Sequence, residues 1–202
     1  MALDVRNIHT AACFFALESY FTSTHEKKRK RKELIENVEI PWFDTFVEAD
    51  ASPFFVTWEK RGRLRGCIGT LRTLPHVELK SFSLKSALED MRFDPVILRE
   101  LPLLSVSVSI LHSYEDASNW EDWEVGKHGL VITLERYSAT YLPEVAQEQQ
   151  WNHRETIESL LQKAGYKGVC NEHILTCVHV TRYQSAKAKM SYQEYQEFLQ
   201  LQ

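Results

Sequence analysis

The chain has 202 residues, 44% hydrophobic and 26% charged, which is enough to bury a substantial core and too apolar for a disordered polymer. A net charge of -4 excludes a global attraction for nucleic acid, and no apolar run approaches the ~20 residues of a membrane-spanning helix. Cys13, Cys67, Cys170 and Cys177 form no CxxC pair, so reduced thiols in a protein of the cytoplasm or nucleus are expected rather than a disulfide framework.

Ile8, Ala11, Ala12, Phe15 and Tyr20 recur at helical spacing, widened by Phe14, Leu17 and Phe21, and predict a helix over residues 7–22. Cys13 lies inside it and reads as a small buried hydrophobe. Residues 27–32 are an unbroken basic hexapeptide within the stretch 24–52. Such a run reads first as solvated surface and second as a nuclear-import tag, while the lack of interleaved aromatics argues against nucleic-acid contact.

Residues 54–58 and 64–70 read as two strands joined by a polar turn, a hairpin. A helix is predicted over 78–93, with Leu79, Phe82, Leu84, Ala87, Leu88 and Met91 as its apolar positions and Asp94-Pro95 as its stop. Residues 103–112 alternate, with Val106, Val108 and Ile110 on one face and Ser105, Ser107 and Ser109 on the other. These serines lack a Gly-x-Ser-x-Gly elbow and are assigned no chemistry. An aromatic and acidic loop over 120–129 leads to a second hairpin, 130–134 with 139–142. Pro143 opens a short helix, and Asn152 with Glu155 forms a capping box for a helix over 154–164 that Gly165 stops. Residues 174–183 are expected as strand, and Ser191 with Glu194 caps the last helix. Hairpins with helices inserted between them indicate an α+β fold, a mainly antiparallel sheet with flanking helices.

Two constellations could carry chemistry. Arg65 and Cys67, two apart on a strand, are expected on one face at about 6.6 Å, with Leu64 and Ile68 on the core side. A guanidinium at that range favours a thiolate, the nucleophilic form of cysteine. Gly66 and Gly69 either admit a substrate to the strand or let a helix pack closely on it. The second constellation is His128, held between Lys127 and Gly129, expected to be exposed and suited to a general base, with Glu144 or Asp122 to orient it. Cys170, His173, Cys177 and His179 match no zinc spacing, so no metal is assigned. No phosphate loop, dinucleotide fingerprint or HExxH pattern occurs, and no cofactor is assigned.

The segment 64–70 (LRGCIGT), followed by Ser86-Ala87-Leu88-Glu89-Asp90, Arg92-Phe93, Glu100-Leu101-Pro102, Asp122-Trp123-Glu124-Val125-Gly126, His128-Gly129, residues 139–146 and Gly165-Tyr166-Lys167, closely resembles the AMMECR-one domain family over about residues 54–198. The resemblance implies one domain in two lobes, the larger built from both chain ends and the smaller from the middle, with the cysteine motif near the cleft between them. Arg65, Cys67, His128 and Glu144 match the family's motif positions. Related prokaryotic domains occur beside Memo-like and radical-SAM proteins, which implies a modification or redox pathway and a Memo-like protein as a partner. Two functions are therefore expected in order: an enzyme using a cleft thiol, Cys67, with Arg65, His128 and Glu144 in support; or a non-catalytic adaptor whose groove is formed by the glycine-flanked strand and the Trp120/Trp123 loop.

Overall fold

The structure, a computed structural model, describes residues 7–22, 40, 42–43 and 50–201. The basic run at 27–32 lies outside the described residues. A six-stranded antiparallel sheet with flanking helices, an α+β fold as the hairpin pattern predicts, runs in the order β2 (Arg63–Pro75), β1 (Ala51–Lys60), β3 (Leu104–Asp116), β6 (His179–Ser191), β4 (Gly129–Leu134), β5 (Tyr137–Tyr141). The chain divides into two compact units, one comprising Met1–Ile110 with Ala186–Gln202 and the other Leu111–Ser185.

In the first unit, α1 (Asn7–Thr22) is buried through most of its length and packs against α2 (Leu79–Leu88). Cys13 is fully buried, and burial pushes its thiol far up, so it is the inert hydrophobe its helical position predicts. Strands β1 (Ala51–Lys60) and β2 (Arg63–Pro75) form the hairpin, and β1 also pairs with β3 (Leu104–Asp116). Phe54, Val56 and Trp58 alternate into a core shared with Phe14 and Tyr195, the last stacked on Phe14 at 5.2 Å. Helix α2 crosses the back of the hairpin. Trp58 Nε1 donates to the Ser83 carbonyl at 3.0 Å, and Ser86 Oγ donates to the Val56 carbonyl at 2.9 Å. A Cβ at Gly66 would strike the Ser86 carbonyl, and one at Gly69 would strike Phe55 and the Phe54 carbonyl. Gly66 therefore lets the helix pack closely on the strand, the second of the two roles open to it, whereas Gly69 makes room for the neighbouring strand β1.

Three expectations are corrected here. The helix predicted over 78–93 ends at Leu88, and Met91 is fully exposed. Asp90 leaves the helix because its carboxylate is drawn into bonds with Cys67 and Arg92, a tertiary demand that outweighs local periodicity. Leu64 is 45% exposed rather than on the core side. The pairing passes from Trp58 with Gly66 to Glu59 with Leu64, leaving Arg65 as the extra residue of a bulge, and this one-residue shift puts Leu64 on the Cys67 face. Separately, Ser107 and Ser109 are buried, so the small polar face of β3 is covered as well as its apolar face.

The second unit holds the rest of β3, the hairpin of β4 (Gly129–Leu134) and β5 (Tyr137–Tyr141), α3 (Pro143–Glu148), α4 (His153–Lys163) and α5 (Glu172–Cys177). Strand β6 (His179–Ser191) begins there and pairs with β4; α6 (Tyr192–Leu199) follows in the first unit. Pro143 stands at the start of α3, and the Asn152/Glu155 and Ser191/Glu194 capping boxes are formed. The third correction is that residues 174–177 are helix, not strand. Asn171 accepts from the Ile174 amide at 3.0 Å and starts α5, a side-chain cap that the apolar run conceals. Ile132, Ile157, Leu160 and Leu175 centre this unit's core.

Candidate functional site

Strand β2 is the sheet edge, and Cys67 sits opposite Thr57 of β1, which in turn sits opposite Ser107 of β3. Their side chains therefore share one face in a row across three strands. Thr57 Oγ1 donates to the Cys67 sulfur at 3.2 Å. Ser107 is 1% exposed, and among the described residues its hydroxyl has no hydrogen-bond partner, an uncommon state for a buried polar group.

The backbone of Cys67 is held from its outer side. The Cys67 amide donates to Asp90 Oδ2 at 2.8 Å, and Arg92 Nη2 donates to the Cys67 carbonyl at 3.0 Å. Arg92 also grips Asp90 through Nε at 2.9 Å and Nη2 at 2.7 Å. That bidentate bond holds the Asp90 carboxyl well below the usual carboxylate range despite burial, and raises Arg92 in turn. The Arg92 guanidinium lies within electrostatic range of the Cys67 sulfur.

Arg65 is engaged elsewhere. Its Nη2 and Nε donate to Glu100 at 3.0 and 3.3 Å, and its remaining donors reach the Asp94 and Pro95 carbonyls. Lys60 Nζ reaches the same Glu100 at 2.7 Å. Burial alone would raise the Glu100 carboxyl, but the bonds from Arg65 and Lys60 outweigh it and hold the group down at about 2. The cation beside the thiol is thus Arg92, and Arg65 ties the bulge to the 94–100 segment.

His128 and Glu144 belong to the second unit. His128 is 8% exposed, which corrects the expectation of an exposed loop histidine. The Glu124 amide donates to its Nδ1 at 2.9 Å, and its own amide donates to the Glu124 carbonyl at 3.0 Å, closing the loop. This places the ring proton on Nε2, so a base at His128 must first release the Glu124 amide. Burial and then the Lys127 and Arg182 charges lower its affinity for a second proton. Glu144 is half-buried in the first turn of α3, within electrostatic range of Tyr183, whose ring covers Gly129 and whose hydroxyl donates to the Tyr141 carbonyl at 3.0 Å. Asp122 is taken up by Ser118 and by Arg182 at 2.6 Å. Trp123 is 6% exposed in the unit's core, so it is a packing residue and not the wall of a groove.

Residues 10–188 match the family model described as AMMECR1. The chain belongs to the AMMECR1 family. It is 46% identical over 166 residues to an uncharacterized protein of Arabidopsis thaliana, covering 76% of this chain and 77% of that one. An uncharacterized protein of Schizosaccharomyces pombe is 45% identical, with 69% and 73% covered. The crystal structure of an uncharacterized protein from Pyrococcus horikoshii superposes with a TM-score of 0.67 at 26% identity, covering 90% of this chain and 89% of that one. Within this AMMECR1-family chain, Thr57 and Ser107 are site neighbours that sequence reasoning missed. Their signal was present only as register: the small polar residues on the face of the Cys67 strand cannot be matched across strands until the bulge at Arg65 is known.

Among the described residues, no group of three or more His, Cys, Asp or Glu side chains is arranged to hold a metal ion. No described helix is long and apolar enough to cross a membrane.

Proposed function

We propose that this AMMECR1-family chain is an enzyme whose reacting group is the Cys67 thiol. The observation that carries the reading is the half-buried sulfur receiving the Thr57 hydroxyl while its own main chain is clamped by the Asp90–Arg92 pair. The bond from Thr57 and the fixed backbone aim the sulfur, and Arg92 places a cation within electrostatic range of it. In the reaction the Cys67 S–H bond breaks, its proton passing to solvent, and the sulfur adds to a carbonyl carbon of the substrate, whose C=O π pair moves onto the oxygen and takes up a proton from solvent. Arg65 acts as a positioning residue through Glu100. The supporting roles that the resemblance implies for His128 and Glu144 belong to the same proposal. The pathway implied by the resemblance, modification or redox, supplies the context.

Substoichiometric labelling with iodoacetamide, read by peptide mass spectrometry, tests this directly. Cys67 is expected to take the label before Cys177, although Cys177 is the more exposed thiol. Label on Cys177 with Cys67 untouched would overturn the reading.

A second reading, an adaptor, draws on the edge position of β2, where Leu71, Arg72 and Thr73 are exposed. A partner segment would add there by backbone pairing, and the resemblance nominates a Memo-like protein. Such binding survives Cys67→Ser, whereas the enzyme does not. Residence in the cytoplasm, with nuclear entry through residues 27–32, belongs to the same proposal; an unchanged distribution after their deletion would remove the nuclear part.

A further inference from the structure

We propose that the β1–β2 turn is a site for the phosphoryl group of a small-molecule ligand, independent of whether Cys67 reacts. Lys60, Arg61, Arg63, Leu64 and Arg65 line a cavity of about 550 Å³ around the turn, within the size range of small-ligand sites. Four of these five side chains are cationic. Lys60 and Arg65 share the single carboxylate of Glu100, at 2.7 and 3.0 Å. Arg61 and Arg63 are exposed, and among the described residues neither guanidinium has an ion-pair partner. The cluster therefore carries a clear excess of positive charge.

The backbone supplies a second, independent observation. Arg61 and Gly62 form a two-residue turn with φ of 51° and 75°. That conformation favours Asn, Asp or Gly at both positions, and an arginine there does nothing for the turn itself. A side chain at a disfavoured position, beside other cations and with no ion-pair partner among the described residues, points to a ligand. Planar guanidinium groups bond phosphoryl oxygens in pairs, and Leu64, 45% exposed, offers an apolar contact for the body of the molecule.

The test is calorimetric titration of the full chain with pyrophosphate and, separately, with a glutamate decapeptide. Pyrophosphate is expected to bind saturably, and Arg61→Asn with Arg63→Gln to weaken it at least tenfold. Cys67→Ser should leave it unchanged. Asparagine accepts this turn conformation more readily than arginine, so Arg61→Asn should melt at the same temperature as the parent or higher, which separates loss of binding from loss of fold. Absence of saturable pyrophosphate binding, an unweakened double variant, or equally tight binding of the decapeptide would each overturn the assignment.

Discussion

The hydroxyl of Thr57 donates to the sulfur of Cys67 at 3.2 Å across the β1–β2 pair. Thr57→Val keeps the shape of the side chain and removes only that donor. A hydrogen bond of this kind contributes about 0.5–1.5 kcal/mol, so alkylation of Cys67 is expected to slow by roughly two- to tenfold, with the melting temperature little changed. An unchanged alkylation rate would show that the contact is structural.

Gly66 and Gly62 separate packing from backbone conformation. Gly66→Ala drives a methyl group into the Ser86 carbonyl, a backbone atom that cannot step aside, and should destabilise by about 3 kcal/mol or prevent folding. At Gly62 nothing lies within 4 Å of the added carbon, so only the positive φ is penalised, at about 1 kcal/mol. Urea midpoints of the two variants check the order.

Glu100 makes stability depend on acid. Its carboxyl stands at about 2 in the folded chain, against about 4.3 for an unfolded glutamate. Because the folded value is the lower one, the contribution, about 3 kcal/mol, is complete above about pH 4.3 and is lost as pH falls toward 2. Glu100→Gln should therefore be less stable than the parent at pH 7, and the gap between the two urea midpoints should close at low pH. A gap that stays constant from pH 7 to 2 would contradict the ion-pair account.

Trp123 and Met91 test the corrected placements. Trp123→Ala empties a core position and should destabilise by about 3–5 kcal/mol, whereas Met91→Lys alters a fully exposed side chain and should stay within about 0.5 kcal/mol. Thermal melts of both variants give the comparison.

Much of the fold was legible because it is written locally. The Asn152/Glu155 and Ser191/Glu194 boxes and Pro143 mark their helices with residues that contact only their own first turn. What escaped depends on distant partners. Asp90 ends α2 early by turning to Cys67, 23 positions away, and the bulge at Arg65 moves Leu64 to the other face. The candidate site followed the same division. The prominence of Cys67 between glycines could be read directly, but Thr57, Asp90 and Arg92 became its neighbours only through strand register and the return of the α2 segment. His128 looked exposed because glycine flanks it, yet its ring closes the 124–128 loop.

The most direct measurement is the second-order rate at which iodoacetamide alkylates Cys67 in the folded chain at pH 7, set against free cysteine under the same conditions. The proposed role requires Cys67 to react faster than free cysteine and to lose that advantage on unfolding in urea. A folded-state rate below that of free cysteine, rising on unfolding, would mark Cys67 as a structural thiol and contradict the account.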